Sequence, residues 1–180
     1  DKVSSDNPSG GARVADHLLD LGHRRLALLE GPRHISTGRE RAAGFIKALK
    51  KRGVDQDDSL HVSGDFSHEF GFRAMSELLT RKNPPTGVFC VNDAIAFGAI
   101  DAARAAGVAV PGQLSIVGYD DVEMSSWKAF ELTTVRQPTA EMARLGVAAL
   151  LERTKAPNRS YRHVRIQSEL VVRQSTGLAP

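Results

Sequence analysis

Three short apolar segments in the second half of the chain each end in a pair of polar side chains. These pairs are Asn92 and Asp93, Asp120 and Asp121, and Arg136 and Gln137. In an open parallel α/β sheet the carboxyl ends of the strands line the ligand crevice, so side chains placed there converge. We therefore expect the three pairs to meet at one edge of a sheet.

Helical and strand-forming patterns alternate along the chain. Helices are predicted at 7–21, 39–52, 68–80, 94–106 and 139–153, and strands at 25–30, 60–62, 87–91, 114–119, 133–136 and within 164–172. Asn7 followed by Pro8 is typical of a helix start, and Gly107 suits the left-handed residue that ends a helix. The alternation indicates an α/β fold with a mostly parallel sheet and helices on both faces.

Length and composition narrow the class of protein. With 180 residues and 41% hydrophobic content, one domain with its own core is expected, without disulfides or a structural metal. Cys90 lies inside an apolar strand and is predicted to be a small buried residue rather than a nucleophile. No apolar run approaches the roughly 20 residues that span a bilayer, and no signal-peptide pattern is present at the start. We expect a cytoplasmic protein without a membrane contact.

The charge pattern gives little support for direct binding to DNA. The net charge is +3, but the basic residues are scattered apart from those in the helix at 39–52. They fall on its polar face and in its last turn, which favours a solvated face over a phosphate-binding stripe. The sequence has no zinc-finger spacing, basic zipper or clear helix-turn-helix, and its histidines lack metal-ligand spacing. No cofactor and no metal are expected.

Taken together, the segments VFCVNDAIAFGA (88–99), VPGQLSIVGYDD (110–121) and LTTVRQP (132–138) resemble the effector-binding domain of LacI/GalR-type transcriptional regulators. The resemblance covers nearly the whole chain. It implies a Rossmann-like lobe of the periplasmic-binding-protein type I, in a domain with two lobes and a ligand between them.

The resemblance also implies a division of the chain. Residues 1–180 would form the C-terminal part of an effector-binding domain, with 7–136 and 161–180 in the C-terminal lobe. Residues 137–160 would return towards the N-terminal lobe. Most of that lobe would lie outside this chain, and so would the helix-turn-helix headpiece. DNA would therefore be contacted only through the missing headpiece.

Arg41, Asp120 and Asn92 are the main candidates for effector binding. By the resemblance, Arg41 matches the arginine that forks onto effector hydroxyls or a carboxylate, a geometry that a planar guanidinium suits. Asp120 matches the acid that accepts hydrogen bonds from a polyol or a base. Asn92 can both donate and accept, as a sugar hydroxyl requires. The alternatives from the residues alone are a solvated helix arginine and a turn aspartate.

Five further residues are weaker candidates for effector contact. They are Phe66, Gln137, Asp6, Thr37 and Ser36. The aromatic ring could stack on a sugar or a base, or pack under the next helix. Gln137 and Asp6 lie at predicted crossovers, and Thr37 could equally cap a helix. Asp93 is predicted to be a helix cap rather than a ligand contact.

Phe97 and Trp127 predict a homodimer. Phe97 is expected on a different face of its helix from the core-facing stripe, and Trp127 sits in a polar, irregular segment. By the resemblance both lie near the subunit contact, where a two-fold axis would bring the same patch of each copy together.

The sequence therefore predicts a non-enzymatic, ligand-sensing domain of a repressor, with a sugar or sugar derivative as the effector. Two alternatives stay open. Asp93, Asp120 and Asp121 could hold Mg²⁺ in a receiver-like phospho-acceptor domain, although no lysine follows the next strand. A sugar-binding component of a transporter would share the same architecture.

Overall fold

The computed structural model describes residues 1–55 and 57–180. Within them the helices are α1 (Asn7–Asp20), α2 (Ser36–Lys51), α3 (His68–Leu79), α4 (Asp93–Ala105) and α5 (Thr139–Lys155). The strands are β1 (Lys2–Ser5), β2 (Leu26–Glu30), β3 (His61–Ser63), β4 (Gly87–Cys90), β5 (Ser115–Asp120), β6 (Thr133–Arg136), β7 (His163–Ile166) and β8 (Glu169–Val171). None of these helices is both long enough and apolar enough to cross a membrane.

The larger sheet is mostly parallel. Its strand order is β3-β2-β4-β5-β6-β8, and only the edge strand β8 runs antiparallel to its neighbour. Every residue of β2 and β4 is buried, which requires cover on both faces of the sheet. The predicted α/β fold is confirmed.

Two helix pairs provide this cover. α1 packs along α2, and α3 packs along α4. Phe89 of β4 faces α2, where its ring centroid lies 5.1 Å from that of Phe45. Because side chains alternate along a strand, Val88 and Cys90 point to the opposite face. Both are fully buried there, and the predicted role of Cys90 as a buried hydrophobic residue is confirmed.

Two helix caps differ from the prediction by one residue. Asp6, not Asn7, caps α1 and accepts from the Ser9 N–H, and Asn92, not Asp93, caps α4. Aspartate and asparagine are equally good caps, so the sequence did not distinguish Asp6 from Asn7 or Asn92 from Asp93. Because Asp6 and Asn92 are the caps, the side chains of Asn7 and Asp93 make other contacts.

A second, two-stranded sheet lies apart from the larger one. β1 pairs with β7 in parallel, and α5 packs on β1. The prediction placed 161–180 in the C-terminal lobe, but 163–166 form β7, and the chain returns to the larger sheet only at β8. β1 has no apolar alternation and was not predicted.

The position of Phe97 differs from the prediction. Its side chain is only 6% exposed, and its ring centroid lies 4.5 Å from that of Phe130. The irregular segment after β5 therefore covers a helix face that was predicted to be open. Trp127, in contrast, is half exposed.

His23 joins the C-terminal segment to the sheet. Its Nδ1 lies 3.0 Å from Thr86 Oγ1, and its Nε2 lies 3.0 Å from Ser115 Oγ and 3.1 Å from the Gly177 carbonyl. Burial lowers the pKa of His23, although the Gly177 carbonyl opposes this. Burial also lowers the pKa of His17, which Asp20 opposes.

We expect the free energy of unfolding to fall when the pH drops below the ordinary histidine value of 6.5. A pKa that is lower in the folded state means that the unfolded chain binds protons more readily, so protonation favours unfolding. Urea unfolding between about pH 7.5 and about pH 5.5 measures this slope. The slope should be smaller in His23→Gln than in the wild-type chain. Equal slopes in the two proteins would contradict the assignment.

Candidate functional site

An open cleft with a volume of about 260 Å³ lies at the carboxyl ends of the strands. Five of the eight predicted effector contacts line it, and these are Thr37, Arg41, Phe66, Asn92 and Asp120. They come from α2, from the segment after β3, and from the ends of β4 and β5. The convergence expected for strand ends in a parallel sheet is therefore present. We call this the strand-end cleft.

Arg41 is a buried arginine fixed on several sides. Its Nη1 donates to the Val91 carbonyl at 2.7 Å, and its Nε donates to Asn7 Oδ1 at 3.1 Å. The guanidinium carbon lies 3.8 Å from the centroid of the Tyr119 ring, in cation–π contact. Within the described residues, Nη2 has no acceptor. The guanidinium is therefore oriented in advance with one nitrogen available.

Asp120 forms an ion pair with Arg41 across the floor of the cleft. Its Oδ1 lies 3.1 Å from Arg41 Nη1 and accepts from Gln137 Nε2 at 2.7 Å. Burial raises the pKa of Asp120, and the positive charge of Arg41 opposes that rise. Among the described residues, Oδ2 has no donor. The pair thus offers a free acceptor beside the free donor of Arg41.

The backbone at Asp120 is strained. Asp120 has φ 127° and Asp121 has φ 56°, in regions that residues other than glycine seldom adopt. Asp121 accepts from Arg136 Nε and from Arg173 Nη2, each at 2.6 Å. Burial opposes ionisation of Asp121, but these two arginines outweigh it and lower its pKa. They also anchor the turn.

Phe66 and Asn92 form one wall of the cleft. An added Cβ at Gly31 would overlap the Phe66 ring, so the ring lies directly on backbone. Asn92 accepts from the Ile95 N–H at 2.9 Å and donates through Nδ2 to the Phe66 carbonyl at 3.2 Å. The amide therefore has one N–H left for a ligand. Thr37 lies exposed on the first turn of α2.

Three predicted contacts lie outside the lining of the cleft. Ser36 is exposed at the first position of α2, and the Asp6 carboxylate is occupied by Ser9. Gln137 donates to Asp120 Oδ1 and is not part of the lining of the cleft. Their direct contact with an effector remains a prediction.

Two residues of the site were missed from the sequence. Asn7 and Tyr119 hold Arg41 from below and are both buried. The sequence indicated that Asn7 caps a helix and that Tyr119 lies in a strand, and neither pattern predicts a contact with Arg41. Only the fold brings them under an arginine that lies 34 residues after Asn7.

The three strand-end carboxylates are each bonded to protein donors. Asp93 is hydrogen-bonded to Thr134 and Ser125, Asp120 is paired with Arg41, and Asp121 with two arginines. They do not share a common centre, and the described residues contain no group of acids, histidines or cysteines placed to hold a metal ion. This arrangement argues against the Mg²⁺ alternative.

The periplasmic binding protein-like domain model matches residues 15–176. The chain belongs to this family. The match covers all of the larger sheet and all of α2, α3 and α4, and it begins within α1.

The relatives are transcriptional repressors and regulators, and several of the matching solved structures are LacI-family regulators. The chain is 34% identical over 175 residues to the HTH-type transcriptional repressor PurR of Photobacterium profundum, covering 97% of this chain and 52% of that protein. It is 35% identical over 175 residues to the ribose operon repressor of Haemophilus influenzae, covering 97% and 53%. The structure also matches a transcriptional regulator CelR–cellobiose complex with a TM-score of 0.91 and 34% identity, covering 96% and 53%.

These matches confirm the resemblance to LacI-type effector-binding domains. The chain spans about half the length of the curated relatives that it matches. The activity of a longer protein is therefore a matter for proposal.

Proposed function

We propose that this chain is the C-terminal part of the effector-binding domain of a LacI-type repressor, and that the strand-end cleft binds a small neutral sugar. The Arg41–Asp120 pair carries this proposal. It presents Nη2 and Oδ2, a donor and an acceptor without partners among the described residues, on two groups that form one ion pair. A sugar hydroxyl, which donates and accepts, matches such a pair.

The charge of the site favours a neutral ligand over a sugar phosphate. Arg41 is already balanced by Asp120 at 3.1 Å, so the cleft floor offers no net positive charge. Binding a phosphate there would place a second negative charge close to Asp120, which is unfavourable. The half-buried Phe66 adds an apolar face for a sugar ring. A relative solved with cellobiose supports a sugar as the ligand class.

The exposed helix α5 supports the proposed division of the domain. No residue of α5 within the described chain is buried, and its apolar side chains Val147, Leu150 and Leu151 are exposed. Solvent-exposed apolar clusters of this kind usually mark a contact surface. We assign that contact to an N-terminal lobe, which would also close the strand-end cleft from the opposite side.

Regulation would follow from movement of the two lobes. An effector that binds one arrangement of the lobes more tightly shifts the population towards it. The headpieces would then gain or lose affinity for the operator. The coupling free energy between the two sites equals the change in the free energy of operator binding that the effector causes. Such a protein acts in the cytoplasm and is not an enzyme.

Calorimetry on the protein that includes both lobes tests the ligand class. Ribose and cellobiose, their phosphorylated forms and purine bases are titrated in turn. We expect binding of at least one neutral sugar and weaker binding of its phosphate. Tight binding of a purine base, or of sugar phosphates alone, would overturn the proposal.

We also propose a homodimer whose contact surface includes Trp127, Val122 and Phe72. These side chains are 50%, 44% and 38% exposed. The Phe72 backbone lies beside Gly98, and the Trp127 carbonyl accepts from the Phe130 N–H. Phe72 thus adjoins α4, the helix that carries Phe97, and Trp127 adjoins Phe130, whose ring packs against Phe97.

Trp127→Asp should shift the chain from dimer towards monomer in sedimentation at micromolar concentration. A charge placed in the centre of an apolar interface loses burial and is left unpaired. Leu178→Asp serves as the control, because Leu178 is 76% exposed in the C-terminal tail. A monomeric wild type, or a dimeric Trp127→Asp variant, would show that this surface is not the interface.

A further inference from the structure

Asp93 is a buried carboxylate outside the strand-end cleft. It is 1% exposed at the first position of α4. Its Oδ1 accepts from Thr134 Oγ1 at 2.6 Å, and its Oδ2 accepts from Ser125 Oγ at 2.7 Å and from the Val122 N–H at 3.0 Å. A buried charge is costly unless donors satisfy it, and these three donors do so. They tie α4 to β6 and to the loop after β5.

Strand β5 has a gap that admits this carboxylate. A Cβ added at Gly118 would collide with Asp93 Oδ1 and would lie 2.9 Å from Leu132 Cδ2. Glycine in the middle of a buried strand weakens the strand, and it often marks a place where another group approaches closely. Here the approaching group is Asp93. The sequence of β5 therefore accommodates the carboxylate at a cost to the strand itself.

The loop held by Asp93 begins where the strained turn ends. Val122 directly follows Asp120 and Asp121, two successive residues with positive φ. Such conformations persist only when the surroundings hold them. Arg136 and Arg173 hold the turn through Asp121. Asp93 holds its other end through the Val122 N–H.

We propose that Asp93 is a positioning residue for the strand-end cleft. By holding Val122 and Ser125 it keeps the Asp120–Asp121 turn in its left-handed conformation. A change of φ at Asp120 would swing its Cα–Cβ bond and move the carboxylate away from Arg41. Asp93 thus sets the geometry of the donor–acceptor pair without touching a ligand. The consequence for binding rests on the proposed function, but the geometry does not.

Nuclear magnetic resonance of the 180-residue chain tests this geometry without a ligand. The readouts are the exchange rate of the Val122 amide, the side-chain ¹³C carboxyl signal of Asp120 and the guanidinium ¹⁵N signal of Arg41. Asp93→Asn and Asp93→Ala are compared. Both remove the same charge, but only asparagine keeps an oxygen that can accept from Val122. Asp101→Asn, at a partly exposed carboxylate on the same helix, is the control.

In Asp93→Ala we expect the Val122 amide to exchange on the order of tenfold faster, because its buried hydrogen bond is lost. The Asp120 and Arg41 signals should shift in the same variant. Asp93→Asn should show smaller changes, and Asp101→Asn none. If Val122 exchanges faster in a folded variant while the Asp120 and Arg41 signals stay in place, Asp93 only caps the loop and the proposal is wrong.

A second pair of variants decides the question if both Asp93 variants fail to fold. Ser125→Ala removes a donor on the loop, and Thr134→Val removes the donor on β6 with little change of shape. Ser125→Ala should shift the Asp120 signal more than Thr134→Val does. An equal or reversed order would overturn the proposal. A different result would contradict the proposed function alone. In that case the variants change the Asp120 and Arg41 signals as expected, but the two-lobe protein binds no sugar.

Discussion

Arg41→Ala is expected to lower the free energy of unfolding by about 3 kcal/mol, since it removes a buried guanidinium from an ion pair. The substitution leaves the Val91 carbonyl and Asn7 Oδ1 without this donor, and it leaves Asp120 without its ion-pair partner. Where the variant remains folded, affinity for a sugar should fall by about 2 kcal/mol or more, because the free Nη2 donor is lost and Asp120 is left without its ion-pair partner.

The matched control for this prediction is Arg39→Ala. Arg39 is exposed two residues earlier on α2, and within the part of the chain that the structure describes it donates only to the Arg33 carbonyl. Its loss should change stability by no more than about 0.5 kcal/mol. Arg41→Lys keeps the charge but not the planar fork, so it should recover part of the stability and little of the affinity. Urea unfolding and calorimetry measure the two effects. Equal stability and equal affinity in Arg41→Ala and Arg39→Ala would exclude Arg41 from the site.

The strand ends could be predicted because their signals are local. An apolar run that stops at Asp120 or at Asn92 indicates a strand and its end, whatever the rest of the chain does. Parallel pairing then requires those ends to share one edge. This is why Asp120 and Asn92 were predicted as neighbours and line one cleft. Arg41, which lies on a helix, was predicted from the family resemblance instead.

The supports of the site could not be predicted, because they depend on contacts between distant residues. Asp6 and Asn7 are equally good helix caps by residue type. In the structure Asp6 caps α1, and Asn7 accepts a hydrogen bond from Arg41. Asp93 gave the same cap signal, but its partners Ser125 and Thr134 lie 32 and 41 residues away.

The position of Phe97 illustrates the limit of helical periodicity. A hydrophobic stripe shows which face of a helix meets a sheet, but not whether an irregular segment covers another face. Phe130 lies in such a segment, 33 residues later, and its ring lies against Phe97. In the same way, the pairing of β1 with β7 joins residues about 160 positions apart, and no local pattern reports it.

Gly44→Ala and Gly146→Ala should have effects of opposite sign, although both replace a glycine inside a helix. At Gly44 an added Cβ would lie 2.7 Å from the Pro8 carbonyl carbon and 2.8 Å from its Cα. These are backbone atoms, so α1 as a whole must move away from α2. Overpacking of this kind costs about 1–3 kcal/mol, more than the roughly 0.5–1 kcal/mol that alanine gains in a helix.

At Gly146 in α5, no described residue beyond the adjacent turns of the helix places an atom within 4 Å of the added Cβ. The helix gain is then unopposed, and the free energy of unfolding of the 180-residue chain should rise by up to about 1 kcal/mol. Gly44→Ala should also disturb the site, because Pro8 adjoins Asn7, which accepts from Arg41 Nε. Urea unfolding compares the two variants, and the Arg41 guanidinium signal reports the disturbance. A stabilised Gly44→Ala variant would show that α1 and α2 do not approach as closely as this packing requires.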